Sequence, residues 1–105
     1  MAETKKYRTA VIGRTGRGNY GHNLDLAAKA HPRFDVIAVA DEDAAGGRRA
    51  ADRLGVRAVY ADYARMLREE KPEIVVIAPR WVDCHLDMAL AAAEARASIF
   101  MEKPM

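Results

Sequence analysis

Four glycines follow the first apolar run of the chain within nine residues. Gly13 ends that run, and Gly16, Gly18 and Gly21 then form a G-x-G-x-x-G pattern. Between a strand and a helix, such glycines let the backbone approach a diphosphate closely and let the helix pack tightly on the strand. The N–H groups at the start of the helix bind the phosphate oxygens, helped by the helix dipole. The pattern predicts a phosphate loop, and a glycine-rich turn without a ligand is the alternative.

An acidic side chain follows the second apolar run, 20 residues beyond the last glycine of this loop. Asp41 stands where a carboxylate accepts hydrogen bonds from an adenosine ribose, and its charge, with that of Glu42, repels the extra phosphate of NADP. The alternative places Asp41 only in the N-cap region of the next helix, a role that Asp43 serves equally well. The spacing favours NAD, with NADP kept open by Arg48 and Arg49 early in that helix.

Strands and helices alternate along the chain and position these side chains. Apolar runs predict strands at 9–12, 35–40, 57–60, 74–78 and 98–101. Helical spacing predicts a helix from Leu24, a helix at 44–54 closed by Gly55, and a helix capped by Asp62 and ended by Pro72. It also predicts a long helix at 82–97, whose apolar stripe consists of Val82, Leu86, Ala89, Leu90, Ala93 and Ala97. Connections of this length indicate parallel strands with right-handed crossovers. The predicted fold is α/β, a doubly wound parallel (Rossmann) sheet of five strands in the order 3-2-1-4-5, with helices on both faces.

Composition restricts the other kinds of site. The 105 residues suit one domain, and 17 Lys and Arg against 15 Asp and Glu alternate along the chain, so the charge does not imply a nucleic-acid partner. The apolar runs fall far short of the ~20 residues that a membrane span needs. The single cysteine, Cys84, forms no internal disulfide and fits a reducing cytoplasm. No His, Cys and carboxylate spacing indicates a metal site.

The end of the chain is the most specific feature. Glu102-Lys103-Pro104, directly after the fifth strand, resembles the E-K-P signature of the Gfo/Idh/MocA family of NAD(P)-dependent sugar and polyol oxidoreductases. The stretches 10–13, 39–41 and 78–79 agree with that family in order and spacing. The resemblance implies that residues 1–105 form one dinucleotide-binding domain. A second domain supplies most substrate contacts in the family, and we expect it to be absent from this chain.

The resemblance also assigns roles to particular residues. Lys103 is expected near the nicotinamide as the catalytic residue, where its charge stabilises an alkoxide that develops during hydride transfer. The family often has Asn where Arg80 stands. The cofactor-binding residues it implies are Gly13, Arg14, Thr15, Gly16, Arg17, Gly18 and Gly21 in the loop, Asp41 at the ribose, Pro79 and Arg80 along the dinucleotide, and Glu102 with Lys103.

The expected function is therefore the cofactor-binding domain of an oxidoreductase that transfers a hydride between NAD and a sugar, polyol or related carbohydrate. The isolated chain is expected to bind the dinucleotide without turnover, with the substrate contacted through the second domain and the exposed edge of the fifth strand offering a surface for self-association. One alternative is a stand-alone nucleotide-binding or sensing module. The other is an S-adenosylmethionine-dependent methyltransferase domain, which gives no reason for Glu102-Lys103-Pro104.

Overall fold

The predicted strands all form, and they lie in one parallel sheet. The structure is a computed structural model that describes residues 6–15, 24–78 and 85–101. Its strands are β1 (Tyr7–Ile12), β2 (Phe34–Ala40), β3 (Ala58–Tyr60), β4 (Ile74–Ile77) and β5 (Ser98–Met101), and its helices are α1 (Leu24–Ala30), α2 (Ala44–Leu54), α3 (Tyr63–Glu70) and α4 (His85–Glu94). The sheet order is β3-β2-β1-β4-β5, which confirms the predicted fold.

The central strand β1 pairs in parallel with β2 on one side and with β4 on the other. Its last residue, Ile12, is in register with Ala40 of β2 and with Ile77 of β4. The carboxyl ends of these three strands therefore lie level at one edge of the sheet. Because the chain leaves β1 towards β2 and later returns to the other side of β1, a crevice opens at this edge, where doubly wound sheets bind ligands.

Side chains of β1 alternate between two apolar layers. Ala10 and Ile12 pack with residues of α3 and α4, whereas Val11 packs with residues of α1 and α2 on the opposite face. All three are essentially inaccessible to solvent. Burial on both faces explains why the central strands read as continuous apolar runs rather than as alternating ones.

Local sequence signals set the ends of α2 and α3. Asp43 caps α2, since its carboxylate accepts a 2.8 Å hydrogen bond from the N–H of Gly46. Gly55 ends α2 with a left-handed φ of 70°, a conformation that glycine adopts without steric cost. Asp62 caps α3, and Lys71 ends it directly before Pro72, which disfavours a helical residue in front of it. The predicted boundaries of both helices are confirmed.

The predicted apolar stripe of α4 is wrong in part, because only Ala89 and Ala97 of its described residues pack against the core. Leu86 and Leu90 are 68% and 53% exposed, and Ala93 is exposed as well. The residues that α4 buries are Met88 and Ala92. Almost every side of this helix is apolar, so the spacing alone does not select the face that meets the sheet. The helix also ends at Glu94, which leaves Ala97 beyond it, and residues 82–84 lie outside the described residues.

Candidate functional site

Four of the predicted site residues meet at the carboxyl edge of the sheet. Gly13 follows β1 directly, and its N–H donates a 2.9 Å hydrogen bond to the carbonyl of Ala40 at the end of β2. Arg14 and Thr15 continue from Gly13 over this edge, next to Asp41. The other predicted residues lie outside the described residues: Gly16, Arg17, Gly18, Gly21, Pro79, Arg80, Glu102 and Lys103.

Asp41 is buried and holds the start of the glycine loop. Only 2% of the residue is exposed. Its carboxylate accepts hydrogen bonds from the Thr15 hydroxyl at 2.7 Å, from the Thr15 N–H at 3.2 and 3.3 Å, and from the Asp43 N–H at 2.9 Å. A carboxylate is tolerated at such burial because these donors replace the water it has lost. The loop is thereby fastened to the end of β2, while the ribose-binding role of Asp41 stays a prediction.

Gly46, in the first turn of α2, makes room for this contact. A Cβ at position 46 would lie 2.6 Å from the Cβ of Thr15, closer than carbon atoms pack. The sequence-based prediction of the site did not include Gly46. The available signal was a Gly-Gly pair in the first turn of the helix that follows the acidic residue. Such a pair allows a loop to approach the helix closely.

We expect Gly46→Ala to lower the free energy of unfolding by about 1–3 kcal/mol, the usual cost of overpacking. A gain in helix propensity of up to about 1 kcal/mol opposes this loss. The loss prevails because the Cβ of Thr15 moves only together with the loop backbone. Urea unfolding of the two proteins measures the difference.

Gly47→Ala is the matched control for that variant. A Cβ at position 47 would lie 3.2 Å from Cγ1 of Val59 and 3.3 Å from the Cβ of Asp41, contacts that small shifts relieve. Its stability is expected to stay within about 1 kcal/mol of wild type. Equal losses in the two variants would contradict the role given to Gly46, as would full stability of Gly46→Ala.

Charged and polar side chains border the crevice beside Asp41. The Arg14 guanidinium donates a 2.6 Å hydrogen bond from Nη2 to Oε1 of Glu42. Burial raises the pKa of the Tyr63 phenol, and the negative charge of Asp87 raises it further. Tyr63 is therefore protonated at neutral pH and available as a hydrogen-bond donor. The residues that surround Asp41 at this edge are Ile12, Gly13, Arg14, Ala40, Glu42, Ala61, Tyr63 and Met88.

These groups fit the adenosine half of a dinucleotide. Carboxylates at the end of β2 suit ribose hydroxyls, and a backbone held at the end of β1 suits a diphosphate. The Nε of Arg14 is buried without a hydrogen-bond partner among the residues that the structure describes.

Other kinds of site find no support in the described part of the chain. No group of three or more His, Cys, Asp or Glu side chains there is arranged to hold a metal ion. Within the same residues, no helix has the length and apolar character to cross a membrane. A separate groove between α3 and α4 is bordered by Leu67, Arg68 and Ala91, and none of the predicted site residues lines it.

Comparison with known families agrees with this geometry. Residues 7–105 match the model of the GFO_IDH_MocA family, described as an oxidoreductase family with an NAD-binding Rossmann fold. The chain belongs to the Gfo/Idh/MocA family. The matched region begins with β1 and contains every predicted site residue. Membership in this oxidoreductase family excludes the methyltransferase alternative and makes the chain an NAD-binding Rossmann domain.

Three relatives of this Gfo/Idh/MocA domain illustrate its extent. Inositol 2-dehydrogenase of Salmonella typhimurium is 33% identical over 99 residues, which are 92% of this chain and 29% of that protein. The structure of myo-inositol 2-dehydrogenase from Lactobacillus plantarum is 30% identical with a TM-score of 0.75, over 95% of this chain and 29% of that one. GenD2 from gentamicin A biosynthesis, solved with NAD, is 27% identical with a TM-score of 0.80, over 98% and 28%. The chain spans less than a third of the length of these relatives.

Proposed function

We propose that this domain binds NAD at the carboxyl edge of its sheet, as the cofactor-binding part of an oxidoreductase acting on a sugar, polyol or related carbohydrate. The observation that carries the proposal is the set of hydrogen bonds between Thr15 and buried Asp41. These bonds hold the start of the glycine loop at the point where the strand order reverses. Ligands of doubly wound sheets bind at that point.

At the adenosine end of the dinucleotide, we expect this chain to orient the bound cofactor. The carboxylates of Asp41 and Glu42 place negative charge where the ribose hydroxyls approach, which favours NAD over NADP. The glycine loop presents backbone N–H groups to the diphosphate. NAD, when bound, supplies the hydride acceptor, and the protein fixes its position relative to the substrate.

At the nicotinamide end, the proposal rests on sequence matches to the family. Pro79 and Arg80 are assigned to the dinucleotide, and Glu102 with Lys103 to the nicotinamide side. The ammonium group of Lys103 would stabilise negative charge that develops on the substrate oxygen. Inositol 2-dehydrogenases are among the relatives, so a cyclic polyol is the first substrate to test. A cytoplasmic location and self-association through the edge strand β5 belong to the same proposal.

Calorimetry with NAD and S-adenosylmethionine, each titrated into the 105-residue chain, tests the proposed ligand. Binding of NAD alone is expected. Binding of S-adenosylmethionine without NAD would contradict the proposal. An open reading frame that ends at Met105 would instead favour the stand-alone nucleotide-binding or sensing module.

The same 105 residues are expected to give no turnover with myo-inositol. Hydride transfer needs the nicotinamide, the substrate carbon and an acid–base group within about 3–3.5 Å of one another. In the family the second domain is expected to supply that acid–base group. A steady production of NADH by this chain, abolished by Lys103→Ala, would contradict the proposal that turnover needs the acid–base group of a second domain.

A further inference from the structure

Arg14 holds a guanidinium at the carboxyl edge that its present partner only partly satisfies. Its Nη2 contacts Oε1 of Glu42 at 2.6 Å, while its Nε is buried and has no partner among the described residues. The Arg14 side chain is 20% exposed, whereas that of Glu42 is 64% exposed. The cation is therefore held in place by the protein, and the anion that covers it lies mostly in water.

The Arg14–Glu42 ion pair lies close to the proposed position of the adenosine ribose. Arg14 and Glu42 lie beside Asp41 at the carboxyl edge of the sheet, where the adenosine ribose is proposed to lie. A guanidinium binds phosphate through two parallel N–H···O bonds, a geometry that an ammonium group does not provide. Because Glu42 is mostly exposed, water screens its pairing with Arg14, and exposed ion pairs contribute only about 0–1 kcal/mol. A ligand phosphate whose charge is not repelled would therefore compete with Glu42 for the guanidinium.

We infer that the Arg14–Glu42 pair selects NAD over NADP. Glu42 forms an ion pair with the Arg14 guanidinium, which would otherwise bind the 2′-phosphate of NADP. This inference rests on the proposed binding of a dinucleotide at this edge. Glu42 excludes NADP in two ways, because it repels the phosphate and keeps Nη2 of Arg14 engaged. Removing the carboxylate charge at position 42 exposes a phosphate-binding guanidinium that is already positioned.

The test compares ligands with and without the 2′-phosphate, using the whole 105-residue chain. Calorimetry gives the dissociation constants of NADP and NAD, and of the fragments 2′,5′-ADP and 5′-AMP. Glu42→Gln is expected to raise the affinity ratio of NADP to NAD at least about tenfold, in keeping with one charge-assisted guanidinium–phosphate pair. The ratio of 2′,5′-ADP to 5′-AMP is expected to rise equally, because the fragments carry the ribose but not the nicotinamide.

A double variant separates engagement of Arg14 from simple relief of repulsion. In Arg14→Met/Glu42→Gln the part of the gain that depends on Arg14 is expected to disappear, which leaves only the smaller effect of relieved repulsion. A gain as large as that of Glu42→Gln alone would overturn the inference. Glu69→Gln is the matched control, since Glu69 forms an ion pair with Arg65 at the same 2.6 Å on α3, and neither ratio should change. NAD binding with unchanged ratios in Glu42→Gln would overturn the inference alone. Absence of any binding of NAD to wild type would overturn the proposed function as well.

Discussion

Replacing Asp41 with alanine is expected to lower the free energy of unfolding by about 2–4 kcal/mol. The change strands the N–H and hydroxyl of Thr15 and the N–H of Asp43, all of which donate to the missing carboxylate. These hydrogen bonds are part-buried, so water replaces the missing carboxylate only incompletely, and a donor left without a partner costs more than an exposed hydrogen bond contributes. The start of the glycine loop keeps only the Gly13 N–H bond to Ala40 from its described backbone attachments to β2, so NAD affinity is expected to fall together with stability. Urea unfolding and NAD calorimetry measure the two effects.

Asp41→Asn and Asp52→Ala are the comparisons for this variant. The asparagine keeps one oxygen to accept hydrogen bonds, and the Thr15 hydroxyl is able to accept from its amide, so a smaller loss is expected. Asp52 is an exposed residue of α2, and its replacement by alanine is expected to change stability by less than about 0.5 kcal/mol. Equal stability of Asp41→Ala and Asp52→Ala would contradict the structural role of Asp41.

The same Asp41→Ala variant also tests cofactor choice. Removing the carboxylate takes away a negative charge that repels a 2′-phosphate, so the difference in affinity between NAD and NADP is expected to narrow. The affinities for NAD and NADP are compared within the same variant. A general loss of stability lowers both affinities and therefore does not change their ratio. A wild-type preference for NADP would show that the role assigned to Asp41 in cofactor choice is wrong.

Gly18→Leu is expected to weaken NAD binding at least about 100-fold, equivalent to roughly 2.7 kcal/mol. The G-x-G-x-x-G pattern places this glycine where the diphosphate approaches the backbone, and a leucine side chain would occupy that space. Calorimetry with NAD measures the loss, and circular dichroism checks that the variant folds. Ala93→Leu adds the same side chain to an exposed position of α4 and should bind NAD as wild type does. Unchanged NAD affinity in Gly18→Leu would reject the assignment of the loop.

Much of the fold is predictable from the sequence because its signals are local. Residues of β4 and the middle of β2 are buried on both faces, so they form uninterrupted apolar runs that only a covered parallel strand explains. Asp43, Gly55 and Asp62 mark helix ends through contacts within a few residues of themselves. The strand order was expected from the doubly wound fold class, and right-handed crossovers, a property of L-amino acids, restrict the alternatives.

The position of the site edge follows from the same reasoning, since the carboxyl ends of parallel strands meet there. The sequence alone determined that Gly13 and Asp41 would come together, because each directly follows a strand that was identified correctly. The roles implied for Gly18 and Lys103 come from sequence pattern and family resemblance, and they stay predictions.

Only the tertiary structure decided which side chains touch at that edge and which face of α4 is buried. The contacts of Thr15 with Asp41, and of Arg14 with Glu42, join residues 26 and 28 positions apart, and they depend on strand register and on the missing Cβ of Gly46. In α4 the local pattern is nearly uniform, and only the packing of the helix against the sheet buries Met88 and leaves Leu90 exposed. Local sequence encodes helix ends and strand runs because those depend on neighbouring residues, whereas contacts between distant residues exist only once the elements are packed.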